Sequence, residues 1–308
     1  MKKNILAFLG AFLCCFLWGS AFPGIKIGYD LWNIDSSDTW SIIRFAGVRF
    51  IIAGILVILF ASISKKYFIC PRKDEIGKIF LLSLFQTIGQ YFLFYIGLAH
   101  TTGVNSAVVD SLGAFFAIII ASLVVRSEKL NARKIIGCIL GFSGVVLVNL
   151  SSGGFVFSLT GDGLVALSAL CYGVSSSLIK GYSSEHDTVL FSGYQFLIGG
   201  LVLFLAGFAA GGFKTGLNYV EQVNLFPAVL LLIYLSMVSS VAYTLWGILL
   251  RTNDVSKISI FGFMNPVIAV ILSALLLGET GVLGIRHAFS LVLIAAGIIA
   301  VNYEKKTT

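Results

Sequence analysis

Charged side chains are scarce in this sequence, since Asp, Glu, Lys and Arg together make up only 11% of its 308 residues. A soluble domain carries roughly 25% of such residues, whereas 58% of this chain is hydrophobic. The shortage of charge excludes an ordinary soluble domain. We therefore predict an all-α integral membrane protein, because apolar stretches of about 20 residues cross bilayers as helices.

The motifs of nucleotide-driven pumps and of common enzymes are also missing. The sequence has no GxxxxGK[ST] phosphate-binding loop, no HExxH and no GxSxG. Its five cysteines show no metal-type spacing, and its three histidines lie far apart. We predict that the protein is not an enzyme and that it holds no cofactor or metal. The net charge of +7 does not indicate nucleic-acid binding, because the basic residues form short clusters between apolar stretches.

What the sequence does contain is ten apolar stretches with mostly short connections. The predicted membrane spans are 4–28, 39–63, 75–99, 102–126, 131–150, 161–181, 187–210, 226–250, 255–278 and 281–303. Most Lys and Arg residues fall on one side of this arrangement, and the exceptions are Lys26, Arg44, Arg49, Lys214 and Arg286. This asymmetry predicts a multi-pass protein of the cell (cytoplasmic) membrane with both termini in the cytoplasm.

The two halves of the chain resemble each other. FAGVRFIIAGILVILFAS (45–62) matches FSGYQFLIGGLVLFLAGF (191–208), and CFLWGSAFPGIK (15–26) matches ALCYGVSSSLIK (169–180). The matched pairs include Gly47 with Gly193, Phe50 with Phe196, Gly54 with Gly200, Trp18 with Tyr172 and Gly144 with Gly297. We predict two five-helix units, residues 1–150 and 151–308. Because five is odd, the second unit enters the membrane in the opposite sense, which gives an inverted repeat of ten transmembrane helices around a central cavity.

Two charged residues fall near the middle of predicted spans. Asp110 lies about nine residues into the fourth span, or ~13 Å along a helix, so it should face other helices or a wet cavity. It could bind a substrate amine, carry a proton or pair with a buried base, and a static interhelical hydrogen bond is the alternative. Arg49 is at a similar depth, so its charge requires a partner. That partner could be a substrate carboxylate, or Arg49 could serve the structure by pairing with Asp110 or with helix-end carbonyls.

Other candidate site residues are aromatic rings and amides within the spans. The aromatic candidates, which adjoin small or polar residues as expected for a cavity wall, are Trp18, Tyr91, Tyr172, Tyr243 and Trp246. The amide candidates are Gln90, Asn105, Gln195 and Asn265. Interhelical hydrogen bonding is the ordinary alternative for any one of these amides. Pro23 and Pro266 should break helices one and nine locally and act as hinges.

Several of these segments resemble the drug/metabolite transporter superfamily, specifically its EamA-type proteins with ten spans. They are WGSAF (18–22), the pair Arg49–Phe50, IGLAHTTGVNSA (96–107) and FMNPVIAVILSALLLGET (263–280). The family usually has a proline thirteen residues before a closing glutamate in each half. Pro266 fits this pattern, whereas the first half has Phe115 at that place. The occurrence of Arg49 in the family's RF pair favours its structural role.

The resemblance implies export of small metabolites, amino acids among them. We therefore expect a secondary transporter that works by alternating access, with a small-molecule substrate and the lipid bilayer as its partners. Proton coupling is left open, as is the choice between a monomer and a homodimer, for which Gly137, Gly141 and Gly144 offer a packing face. The alternatives are uptake or exchange of a nucleotide precursor or sugar derivative, and a non-transporting receptor or scaffold.

Overall fold

The structure, a computed structural model, describes residues 2–101, 103–149, 158–211, 224–277 and 285–303. Within these residues every regular element is a helix and no strand occurs, which confirms the predicted all-α class. In this part of the chain, seven helical stretches are long and apolar enough to cross a membrane. Two shorter apolar helices run over Val108–Val124 and Ala288–Asn302. These properties are those of a multi-pass membrane protein.

The helices of the first half match the stretches predicted from the sequence, with outer ends that differ by at most three residues. They are α1 (Lys2–Leu31), α2 (Thr39–Lys65), α3 (Lys73–Ser83), α4 (Gln90–Leu98), α5 (Gly103–Asp110), α6 (Leu112–Ile119) and α7 (Ala132–Asn149). Two π-helical segments extend these helices. Leu84–Gly89 joins α3 to α4, and Ile120–Val124 follows α6.

The second half also consists of helices. They are α8 (Asp162–Tyr182), α9 (Thr188–Gly211), α10 (Leu225–Thr252), α11 (Val255–Ser259), α12 (Met264–Leu277) and α13 (Ile285–Asn302). A 3₁₀ turn, Ile260–Phe263, connects α11 to α12. The predicted loop at 151–154 and the closing residue Glu279 lie outside the described residues.

Two of the predicted continuous spans, the fourth and the ninth, contain an irregular turn in their first half. The fourth span is interrupted at Ser111, whose hydroxyl donates a 2.6 Å hydrogen bond to the carbonyl of Val108 instead of pointing away from the helix. In the ninth span, Pro266 lacks the backbone N–H that would donate to the carbonyl of Gly262 in a regular α-helix. Gly262 lies in the 3₁₀ turn that precedes α12. Turns of this kind are frequent at functional sites in helices.

Helix α1, in contrast, is regular. It continues as an α-helix through Pro23, so the predicted local break there is wrong. Proline removes a single hydrogen bond, and helices packed in a membrane accommodate such a loss through their neighbours. Whether Pro23 or Pro266 acts as a hinge stays a prediction.

The crossing of α2 with α9 depends on glycine. A Cβ atom at Gly47 would lie 2.9 Å from the carbonyl oxygen of Gly200, and one at Gly54 would lie 2.7 Å from that of Gly193. Such distances allow no side chain, so the two backbones touch directly, as small residues permit in membrane helices. The crossing places Phe50 of α2 beside Phe196 of α9 in the protein interior.

Candidate functional site

Aromatic rings from α1, α4 and α10 meet in the interior next to this crossing. The ring centroid of Trp18 lies 4.9 Å from that of Tyr243 and 4.9 Å from that of Trp246, in tilted or edge-to-face arrangements. Tyr243 and Trp246 are buried, whereas Trp18 and Tyr91 keep accessible surface. The structure thus brings together four of the five aromatic residues predicted for the site. We call Trp18, Tyr91, Tyr243 and Trp246 the aromatic cluster.

A hydrogen bond between two tyrosines links the halves of the chain within this cluster. The hydroxyl oxygens of Tyr91 on α4 and Tyr243 on α10 are 2.6 Å apart. Both hydroxyls are thereby satisfied in an apolar environment, where an unpaired hydroxyl is unfavourable. The pair therefore fixes α4 against α10 at the centre of the molecule.

Arg49 lies beside the aromatic cluster, and none of the charged side chains in the described part of the chain pairs with it. Only 3% of its surface is exposed, and its guanidinium carbon is 4.6 Å from the ring centroid of Phe50 and 5.8 Å from that of Tyr91. Its Nε atom has no hydrogen-bond partner. Among the ion pairs between described residues, none includes Arg49, so the predicted alternative of a pair with Asp110 is not the arrangement found. Stacking on aromatic faces stabilises a guanidinium only in part.

Asp110 ends α5 directly before the interruption at Ser111. Its side chain keeps accessible surface, and it is near enough to Tyr91 and Tyr172 to interact with them electrostatically. It belongs to no ion pair in the described part of the chain. Tyr172 packs against Gly113 in the next turn, where a Cβ atom would be 2.9 Å from its ring. Tyr91 is therefore within electrostatic range of both predicted charged site residues, Asp110 and Arg49.

The amide candidates behave differently from one another. Gln195 is fully buried, and its Oε1 accepts a 2.6 Å hydrogen bond from the hydroxyl of Thr87, which favours interhelical hydrogen bonding for this residue. The Oε1 of Gln90, the Oδ1 of Asn265 and the Nε2 of Gln195 are buried with no hydrogen-bond partner among the described residues. The side chain of Asn105 lies outside the described part of the structure. Gln90 and Asn265 thus present unsatisfied acceptors that water or a ligand could fill.

Several residues that shape this region are not among the site residues predicted from the sequence. The rings of Phe50 and Phe196 stack at the edge of the cluster, and the hydroxyl of Thr244 and the indole nitrogens of Trp18 and Trp246 are buried without partners. The phenylalanines were visible as a matched pair in the repeat, which is the signal that could have identified them. Thr244 had no such signal, because the sequence does not state which way a helical hydroxyl points.

Comparison with known proteins is consistent with this arrangement. The chain matches the EamA-like transporter family twice, over residues 5–150 and 159–303. It is 27% identical to the uncharacterized transporter YvbV of Bacillus subtilis, over 99% of this chain and 94% of that protein. It is 29% identical to an uncharacterized transporter of Acidianus ambivalens, over 73% of this chain and 81% of that protein.

Two further similarities concern the membrane and the fold. The chain is 24% identical to the uncharacterized inner membrane transporter YedA of Escherichia coli, over 90% of this chain and 85% of that protein. It also superimposes on a protein of known crystal structure with a TM-score of 0.76, at 17% identity and over 96% of each chain. The second similarity concerns the fold alone.

Proposed function

This chain belongs to the EamA-like transporter family, and from that premise we propose that it exports small metabolites across the cytoplasmic membrane by alternating access. Amino acids or their analogues are the substrates that we expect first. With no nucleotide-binding motif in the sequence, the driving force comes from the substrate gradient or from a coupled ion such as the proton.

The observation that carries this proposal is the pair of unpaired charges at the aromatic cluster. Arg49 is buried and Asp110 is half-buried, and neither has an ion-pair partner among the described residues. A buried charge without a partner is costly in a membrane protein. A substrate with a carboxylate and an amine would supply both partners, and the aromatic cluster would contact its apolar part.

We further propose that ten transmembrane helices form an inverted repeat of residues 1–150 and 151–308. Reciprocal glycine contacts support this relation. Exchanging matched residues turns the Gly47–Gly200 contact into the Gly193–Gly54 contact, and both occur. Helices α7 and α13 show the same reciprocity. A Cβ at Gly297 would be 2.6 Å from the carbonyl oxygen of Gly137, and one at Gly144 would be 2.9 Å from that of Ser290. Rocking of one unit against the other would then expose the cluster to each side in turn.

The test is reconstitution of the purified full chain in liposomes loaded with labelled solutes. We expect efflux of amino acids down their gradient and weaker or no efflux of nucleotide precursors and sugar derivatives, with empty liposomes as the control. Efflux of a nucleotide precursor or sugar derivative alone would replace the substrate class. No movement of any solute at any gradient would contradict transport and would favour a receptor or scaffold.

A further inference from the structure

A charged groove lies at one end of the helix bundle, away from the aromatic cluster. It has a volume of about 490 Å³ and is formed where the segment after α6, the first turn of α7, the start of α11 and the end of α13 converge. Its charged lining consists of Lys129, Arg133, Lys134, Lys257, Glu128 and Asp254. We call it the basic groove. Its volume is in the range of small-molecule sites, which is ~300–1,000 Å³.

Both acidic residues of the groove are already engaged. Glu128 accepts hydrogen bonds from the backbone N–H of Ser256 at 3.1 Å and from the Ser256 hydroxyl at 2.9 Å. The ammonium of Lys134 is also 3.3 Å from Glu128. Asp254 faces Lys257 at 3.8 Å. One lysine therefore balances each carboxylate inside the groove.

Lys129 and Arg133 are the cations in excess of these two balanced pairs. Both are exposed, and neither forms an ion pair with a described residue. Arg133 donates one hydrogen bond from Nη1 to the carbonyl of Tyr303 at 3.0 Å, and its guanidinium carbon is 5.5 Å from the Tyr303 ring centroid. A guanidinium has five N–H donors, so it retains donors for an anion. The groove thus offers two positive charges to an anionic ligand.

The surface next to the groove is apolar and exposed. Ile135, Ile136 and Ile139 project from one face of α7 with exposed fractions of 48%, 52% and 55%, and Ile299 of α13 is 64% exposed. In a helix that crosses a bilayer, exposed residues of this kind face acyl chains. A ligand with an anionic head and apolar chains would therefore match both the groove and the neighbouring face.

From this combination we propose that the basic groove binds the phosphate headgroup of an anionic phospholipid. Lys129 and Arg133 contact the phosphate oxygens, and the acyl chains lie along the exposed isoleucines of α7. A net-negative lipid is preferred over a zwitterionic one, because the groove carries excess positive charge and basic pockets at helix ends recognise anionic headgroups. The inference does not depend on the proposed transport activity, since it concerns a different surface of the molecule.

The experiment measures lipid binding to the purified full chain in detergent, by native mass spectrometry. Phosphatidylglycerol should bind the unmodified chain about tenfold more tightly than phosphatidylcholine does. The double substitution Lys129→Gln with Arg133→Gln should remove this preference. The charge-preserving pair Lys129→Arg with Arg133→Lys should keep it.

A matched control removes two exposed charges elsewhere. Lys66→Gln with Lys73→Gln changes the net charge by the same amount but leaves the basic groove intact, so the preference should persist. The proposal is overturned if the control loses the preference equally, or if the groove variant retains it. Soluble glycerol phosphate is the remaining probe. If it binds as tightly as phosphatidylglycerol, the groove is a site for soluble phosphates and the lipid assignment is wrong.

Discussion

The rings of Phe50 and Phe196 lie nearly parallel, with centroids 5.3 Å apart and an interplanar angle of 16°. These two residues correspond to each other in the internal repeat. Residues that a twofold axis exchanges can touch only where the axis passes between them, so the proposed axis runs through this stack. Each ring also packs on a tyrosine: the centroid of Phe50 is 4.5 Å from that of Tyr91, the centroid of Phe196 is 5.2 Å from that of Tyr243, and the two tyrosine hydroxyls are hydrogen-bonded to each other.

This geometry has a consequence for the candidate site. Arg49 is next to Phe50 in the chain and over the ring of Tyr91, so it lies close to the proposed axis. Its counterpart in the repeat is the neutral Gln195, which is hydrogen-bonded to Thr87. The proposed symmetry of the backbone is therefore accompanied by an asymmetry of charge, because Arg49, which has no ion-pair partner among the described residues, faces a neutral counterpart.

Replacing Arg49 with Met should separate a structural role from a substrate-binding one. Met keeps an apolar stem over Phe50 but removes a charge that has no partner, so the unfolding midpoint should stay the same or rise. Solute exchange in liposomes should fall at least about tenfold, which corresponds to the loss of one charge-assisted contact of ~1.4 kcal/mol or more. Arg44→Met in the same helix is the control and should leave exchange intact. A large fall in the unfolding midpoint with normal exchange would assign Arg49 to structure.

Replacing Asp110 with Asn should change transport, and its effect on stability should be largely independent of Arg49. If Asp110 carries a proton, accumulation driven by a pH gradient is lost while exchange at equal pH continues, and if it binds a substrate amine, exchange slows as well. Because no ion pair joins the two side chains, the coupling energy between Asp110→Asn and Arg49→Gln should stay within ~1 kcal/mol, below the ~3–5 kcal/mol that breaking a buried ion pair costs. A coupling energy well above this value, measured in a double-mutant cycle, would show that they pair.

Removing one hydroxyl of the Tyr91–Tyr243 pair should cost more than removing both. Tyr91→Phe leaves the hydroxyl of Tyr243 buried and unsatisfied, which should lower the free energy of unfolding by ~1–3 kcal/mol. Tyr243→Phe should do the same, and the double variant should recover much of the loss. Denaturation of the three variants in detergent checks this, and simple additivity of the two single effects would contradict it.

The contact between α2 and α9 predicts that an added methyl group is destabilising at Gly54, which lies in the contact, and tolerated at Gly77, which lies outside it. Gly54→Ala would put a Cβ atom 2.6 Å from the backbone nitrogen of Leu197, so the free energy of unfolding should fall by ~1–3 kcal/mol. Gly77→Ala in α3 is the control, because a Cβ there meets nothing within 4 Å. That control should be neutral or stabilising by up to ~1 kcal/mol, the difference in helix propensity. Equal thermal stability of the two variants would show that α2 and α9 do not touch as described.

The distribution of Lys and Arg predicts the orientation in the membrane. A reporter fused after Thr308 and one inserted at Lys66 should both read cytoplasmic, and one inserted between Ser151 and Gly154 should read external. Enzymatic reporters that are active on only one side of the membrane make this measurement. If the C-terminal fusion and the 151–154 insertion reported the same side, the inverted repeat would have to be abandoned.

The sequence by itself determined the membrane class, the approximate positions of the helices and the correspondence of Phe50 with Phe196 in the internal repeat. These properties depend on local hydrophobicity, on the length needed to cross a bilayer and on self-similarity, all of which can be read along one chain. The sequence also selected Trp18, Tyr91, Tyr243 and Trp246, because aromatic residues beside small or polar ones are visible without coordinates.

Only the tertiary structure decided which polar groups meet. It engaged Gln195 with Thr87, left Arg49 without an ion pair and interrupted the fourth span at Ser111 beside Asp110. It also carried α1 unbroken through Pro23. Such outcomes depend on how each helix is rotated and shifted against helices distant in sequence. A shift of one residue turns a helical side chain by ~100°, so hydrophobic pattern alone leaves the partners of buried polar groups undetermined.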